Sequence, residues 1–225
     1  MPPLPPPTGL PNGFPGVPSA AALEAASKVG PAWSAFSLVA NSFTDVVEKV
    51  LSHELRGKVV ADATYRIVYR KPASARCETL AGVAKGRIVV WRGGERIKAR
   101  ANPKPGGAVA TLNRSDPRAT DTLGYGCGQN TPDAIATYWA SHGSLTETSG
   151  PHFGNVGTDL ITWTPEATFP IPIDREELIL SKATHLPIET KAYKAGKLVE
   201  DSKFVSIKLD ANVPNSAFDI RHAFP

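Results

Sequence analysis

Residues 184–220, THLPIETKAYKAGKLVEDSKFVSIKLDANVPNSAFDI, constrain this chain most, because they read in order as a strand, a tight turn, a second strand and a stop. Ile188, Thr190 and Ala192 fall on one face of the first run and Glu189, Lys191 and Tyr193 on the other, the period of two that marks a strand with one wetter side. Ala195-Gly196 breaks the run, and Gly196 can take the positive φ of a tight hairpin. Extended structure resumes from 198 to 209, with Phe204, Ser206 and Lys208 expected opposite Val205, Ile207 and Leu209, until Asn212 and Pro214 stop it. Pro187 suits a strand entry because it has no N–H to give a ladder.

Hairpin signals recur upstream. Residues 59–70 alternate Ala63, Tyr65, Ile67 and Tyr69 with Thr64, Arg66, Val68 and Arg70 before Pro72. Residues 87–91 and 95–101 flank Gly93-Gly94, the strongest hairpin signal in the chain. Residues 144–148 and 160–164 form a further pair around a Gly-rich loop, and 176–182 is another strand. Residues 114–128 hold Asp116-Pro117 and alternating glycines, which predicts an irregular, surface-exposed segment.

Helices are fewer. Ser19 is a plausible N-cap for a short helix over 20–29, a second run after Pro31 places Trp33, Phe36 and Val39 on one face, and Thr131 with Pro132 and Asp133 opens a third through Ser141. Residues 42–54 fit two patterns: Phe43, Val46, Val47, Val50 and Leu51 have helical spacing, while the β-branched content favours a strand. Many strands at hairpin spacing with two or three helices predict an antiparallel α+β fold.

The order of the C-terminal motifs resembles the ending of the outer-membrane lipoprotein carrier (LolA-like) superfamily, which includes related envelope stress-sensor domains. The matching residues are Thr184, Leu186 and Pro187 at the strand start; Gly196 and Lys197 in the hairpin; Phe204 and Ile207 in the last strand; and Asn212, Val213, Pro214, Phe218 and Asp219 at the close. Upstream the resemblance extends loosely from about Phe36, mainly in the order of elements. It implies an incomplete antiparallel β-barrel, a curled sheet wrapped around two or three helices with an apolar cavity between them, and it favours a strand over 42–54.

With 225 residues one domain is expected over 19–225, after a disordered Pro-rich linker over 1–18, where eight prolines and three glycines stand without a charge. No run of about 18 apolar residues and no signal-peptide pattern is present. A Pro-rich start at a lone Met fits a periplasmic or otherwise extracytoplasmic protein shorn of its export signal or lipid anchor, and also a cytoplasmic protein with a loose start. Cys77 and Cys127 stand 50 apart without CxxC spacing. They fit either one disulfide, worth roughly 4 kcal/mol through loop closure, or two buried thiols.

Charge is uneven. Residues 56–118 carry fifteen Lys and Arg against four acids, a balance of +11 hidden in a net +4. Such a field suits anionic headgroups, acidic proteins or a solvated strand face. No phosphate loop, zinc helix or nucleophile elbow is present, and the five histidines are scattered, so neither enzyme, cofactor nor metal is expected.

The functional candidates are therefore the apolar strand faces. Tyr65, Ile67, Tyr69, Val89, Trp91, Trp139, Trp163 and Phe169 are candidates for lining a ligand cavity, with Arg66, Arg70 and Arg87 near a headgroup. An ordinary filled core is the competing reading of the same residues. The resemblance implies a carrier or sensor for a lipid, lipoprotein or amphipathic ligand. A protein-interaction module of the cell envelope using the same fold is the second reading, and nucleic acid comes third because no RNA or DNA motif is legible.

Overall fold

A computed structural model describes residues 28–56, 59–82, 84–100, 108–116, 118–120, 125–167 and 173–222. The Pro-rich stretch 1–18, most of the run 20–29 and Phe169 lie outside the described residues. Among the described residues eleven strands form one antiparallel sheet: β1 (Asp45–Arg56), β2 (Val59–Arg70), β3 (Ser74–Gly82), β4 (Ile88–Trp91), β5 (Arg96–Arg100), β6 (Val109–Asn113), β7 (Gly143–Ser149), β8 (Thr158–Pro165), β9 (Arg175–Ser181), β10 (Pro187–Lys194) and β11 (Lys197–Leu209). Two helices, α1 (Pro31–Ser42) and α2 (Pro132–Ser141), and one 3-10 turn (Asn215–Phe218) complete it.

The spatial order is β6-β5-β4-β3-β2-β1-β11-β10-β9-β8-β7. Two meanders thus meet where β1 pairs with β11, while β6 and β7 remain as edges, and the sheet curls without closing. The ambiguous run at 42–54 is strand. Its even-numbered residues Val46, Glu48, Val50, Ser52 and Glu54 are buried on the concave face, a period of two that helical spacing of the apolar residues alone would not show.

Two expectations about faces are corrected. In β11 Phe204 was expected opposite Ile207, but Lys49 pairs with Ser206 and Val50 with Phe204, so a bulge leaves Val205 unpaired and 57% exposed. The extra residue puts Phe204 and Ile207 on the same concave face. In α1 the buried stripe is Trp33, Phe36 and Ala40, with Val39 only half-buried.

The helices lie on the concave side of β8–β10. Trp33 of α1, Trp139 of α2 and Trp163 of β8 stack nearly parallel, with ring centres 6.2 Å and 5.3 Å apart, over Ile161, Leu178, Leu180 and Ala192. The start of α1 is held by Glu147 of β7, whose carboxylate accepts the backbone N–H groups of Ala32 (3.2 Å) and Trp33 (2.9 Å). A Cβ at Gly30 would fall 2.4 Å from that carboxylate, so the approach needs glycine there.

The convex face of β2–β4 is covered by the C-terminal tail. Val213, Ala217, Phe218 and Ile220 pack on Val68, Ile88 and Val90, which explains why all four residues of β4 are buried. Arg76 is wholly buried beneath the tail. Its guanidinium donates to the carbonyls of Ala217 (3.0 Å), Asp219 (2.8 Å) and His222 (2.8 Å) and, through Nε, to Glu78 (2.9 Å).

Arg76→Met removes every one of those donors and leaves Glu78 buried, so a loss of about 3–5 kcal/mol is expected in urea unfolding, with faster amide exchange over 213–222. In the β10–β11 turn, Ala195 (φ 50°) and Gly196 (φ 68°) both take left-handed conformations. Alanine is disfavoured there by roughly 1–2 kcal/mol, and Asn-Gly is the preferred pair for such a turn. Ala195→Asn is expected to raise stability by about 1 kcal/mol, read as a higher denaturation midpoint at unchanged slope.

Candidate functional site

The concave face is banded along the strands. At one end Val46, Tyr69, Ala75, Trp91, Ile97 and Leu112 make an apolar floor. Further along lie Val50, Ile67, Val89 and Phe204; then a row of hydroxyls, Ser52 opposite Ser202; then carboxylates, Glu54 opposite Glu200. The segment 125–130 and α2 cross above these rows. Between them and the sheet is a cavity of about 130 Å³.

The segment over the cavity is pinned by a Cys77–Cys127 disulfide, Cα atoms 5.7 Å apart, joining β3 to the stretch before α2. Both cysteines line the cavity. The expectation that 114–128 is surface-exposed is corrected by this arrangement: Ala119, Thr120, Tyr125 and Gly126 are buried, because the crosslink draws the segment inside the curl of the sheet. Thr131 sits at the N-cap position but makes no capping bond; its hydroxyl donates to the Asp133 carboxylate at 2.8 Å.

Of the residues singled out in the sequence, Tyr65, Ile67, Val89, Trp139 and Arg87 line the cavity. Tyr69 and Trp91 pack in the apolar floor, and Trp163 is the buried base of the tryptophan stack. Arg66 and Arg70 belong to the convex side, where Arg66 lies 3.6 Å from Glu78 and Arg70 donates to Asn215 (2.6 Å) and covers the Phe218 ring. The basic segment is accordingly not one patch: Arg76 is buried, and Arg114 covers the Trp91 ring at 4.8 Å. Burial lowers the Arg114 guanidinium to about 10.

Sequence reasoning missed the polar rows. Glu54 (1% exposed) accepts the Tyr65 hydroxyl at 3.0 Å, Glu200 (8%) that of Ser202 at 3.0 Å, and Glu176 (8%) that of Tyr125 at 2.7 Å. The available signal was Ser52-x-Glu54 in one strand and Glu200-x-Ser202 in another, each on the face that carries the apolar residues.

Glu48 sits nearer the floor. It is fully buried, and neither carboxylate oxygen has a hydrogen-bond partner among the described residues. Burial, then the nearby Asp133 of α2, pushes its pKa from 4.5 up to about 8. Asp133 is itself raised by burial, with the Thr131 hydroxyl and Lys71 pulling it back. Among the described residues no three His, Cys, Asp or Glu side chains are grouped to hold a metal ion.

No protein-family model matches the chain, and no curated protein matches it. Solved structures do. An uncharacterized conserved protein from Thermus thermophilus superposes with a TM-score of 0.52 at 13% identity, over 91% of this chain and 93% of that one. MucB superposes with a TM-score of 0.51 at 18% identity over 86% of this chain; the match spans 62% of MucB. A LolA superfamily protein from Nitrosomonas europaea matches over 88% of this chain and 96% of its own, at 12% identity and a TM-score of 0.36.

The curled sheet with its helices is the fold of the Thermus thermophilus protein and of MucB. At these identities the likeness extends to the incomplete barrel and its helices, and what the cavity does must come from its own residues. No helix among the described residues is long and apolar enough to cross a membrane.

The raised Glu48 pKa makes the stability of this core depend on pH. The folded chain keeps a proton that the unfolded chain releases, so the stability linked to it is fully present below about 4.5 and is lost as pH climbs toward 8, at roughly 1.4 kcal/mol per pH unit. Glu48→Gln mimics the protonated carboxyl. Urea unfolding is expected to give equal stabilities for variant and wild type near pH 4.5 and a more stable variant at pH 8.

Proposed function

We propose that this chain is a non-enzymatic binding protein, a carrier or sensor, whose cavity receives the apolar part of a lipid, lipoprotein or amphipathic ligand in an extracytoplasmic compartment. One observation carries the reading: a space is left between the concave sheet and α2, bounded by Val50, Ile67, Val89, Ile135, Trp139 and Phe204, where a filled core would leave none. The disulfide across its wall supports an oxidising compartment such as the periplasm.

Size limits what enters. At about 130 Å³ the cavity approaches the roughly 150 Å³ that holds a benzene ring, so it suits a ring or a short alkyl group. A longer acyl chain would have to part α2 and the 125–130 segment from the sheet. Each methylene buried would contribute about 0.8 kcal/mol toward that opening.

Val89→Trp fills the cavity from its β4 wall. Native mass spectrometry of the wild type, mixed with lipids extracted from bacterial envelopes, is expected to show a bound adduct that falls at least tenfold in the variant, with circular dichroism unchanged. An adduct retained by the variant would sink this reading. Capture of one specific envelope protein, with no lipid bound to either form, would favour the protein-interaction module.

A further inference from the structure

The register between β1 and β11 also fixes what the convex side of their seam presents. Glu48 with Ile207 and Val50 with Phe204 turn inward, so Val47 with Lys208, Lys49 with Ser206 and Leu51 with Lys203 turn outward. On the other edge of β1, Lys49 stands directly opposite Arg66. Three lysines and an arginine thus gather near the middle of the eleven strands, although all three lysines lie outside the basic segment 56–118. Like charges directly opposite across a ladder are unfavourable unless something neutralises them.

The acids of this face lie beneath the cations. Glu189, with a side chain only 4% exposed, holds Lys191 at 2.9 Å and Lys203 at 3.7 Å, and Asp201 lies 4.0 Å from Lys203. The Lys203 side chain still stands 49% exposed above both. Glu78 is sunk between Arg66 and the buried Arg76. Asp210, next to the end of β11, accepts the Thr44 N–H and hydroxyl at 2.8 Å and 3.0 Å. Lys49 and Lys208 are exposed and form no ion pair among the described residues. Between them the bulge lifts Val205, which is 57% exposed, and Leu198, also exposed, stands nearer the start of the same strand.

We propose that this convex seam is a membrane-docking face that seats on a bilayer surface rich in anionic lipid, with the ammonium groups of Lys49, Lys203 and Lys208 at the phosphates and Val205 at the boundary of the acyl region. Lysine suits that boundary because its stem lies along apolar surface while its charge stays at the headgroups. An exposed valine set among lysines gains from a surface that is anionic outside and apolar just beneath, whereas a nucleic acid would call for exposed rings to stack on its bases. The C-terminal tail covers the neighbouring convex face of β2–β4 but leaves Lys49, Val205 and Lys208 open. The cavity lies on the opposite side of the sheet, so the docking face goes beyond the cavity reading and needs nothing from it.

The test is sedimentation of the full chain at pH 7 with large unilamellar vesicles of phosphatidylcholine alone, or of phosphatidylcholine with three parts in ten phosphatidylglycerol. Binding to the anionic vesicles is expected to be at least tenfold tighter than to the neutral ones, and to weaken as salt is raised. A lysine near an anionic surface strengthens binding about fivefold, so the Lys49→Gln, Lys208→Gln double variant is expected to lose at least tenfold. Val205→Ser is expected to lose several-fold at unchanged charge. Lys85→Gln, Lys98→Gln removes the same charge from exposed positions on the β3–β4 turn and β5, away from the seam, and is expected to bind as wild type does.

Equal binding to neutral and anionic vesicles, or to neither, overturns the proposal. An equal loss in the two double variants overturns it as well, since net charge alone would then account for binding. Poly-L-glutamate or single-stranded DNA bound as tightly as the anionic vesicles, with no loss from Val205→Ser, assigns the face to an acidic polymer and overturns the membrane. The substituted side chains are exposed, and the wild-type vesicle series decides the matter without any variant.

Discussion

The pairing of β1 with β11 is the constraint on which the rest of the structure depends. Nine register pairs, from Val46 with Leu209 to Glu54 with Glu200, join the first strand to the last and turn two separate meanders into one curled sheet. The contacts are distant in sequence, so they carry a loop-closure cost that hairpins do not. Local bonds hold the seam at one end: the Asp210 N–H donates to the Asp45 carbonyl (2.8 Å), the Thr44 N–H to the Asp210 carboxylate (2.8 Å) and the Val213 N–H to the Asp45 carboxylate (3.1 Å). The last of these sends the tail back under the convex face, where Arg76 binds its carbonyls.

A curled sheet alone does not make a cavity, since side chains of the concave face could fill it. Here two attachments keep α2 and its approach at a set height above the strands. The Cys77–Cys127 crosslink fixes one side, and the tryptophan stack, with Trp139 between Trp33 and Trp163, fixes the other. Between these supports, small residues lie beneath the helix: Ala63, Ser52, Ser202 and Ala192 are all buried on the concave face. The space follows from large groups at the supports and small ones in the span.

Much of the sheet was legible in the chain because hairpins are local. Gly196, Gly93-Gly94 and the alternation around Tyr65 each carry their own turn or period, and the structure has strands and turns at all three. The bulge at Val205 was not legible, for it depends on how β11 meets β1 across the whole sequence, and no local pattern marks it. The same holds for residues 114–128, whose glycines signal irregular backbone but not that the disulfide draws the segment inward. The candidate site was half visible: apolar rows stand out by hydropathy, whereas Ser52, Glu54, Glu200 and Ser202 read as the wet side of a strand until the register places them inside.

Those inward polar residues argue against a cavity made only for hydrocarbon. Burying an acid is costly unless it is hydrogen-bonded or neutral, and the concave face holds Glu48, Glu54, Glu176 and Glu200. The two groups are treated differently. Glu48, without a partner among the described residues, meets the cost by keeping its proton, which suits a spacer beneath α2. Glu54, Glu176 and Glu200 instead each accept a hydroxyl hydrogen bond, from Tyr65, Tyr125 and Ser202 respectively. The concave face is therefore graded along β1 and β11, from the apolar pair Val50–Phe204 through the hydroxyls Ser52–Ser202 to the carboxylates Glu54–Glu200, and the cost of burying the polar end is met by hydrogen bonds there rather than by neutralisation as at Glu48.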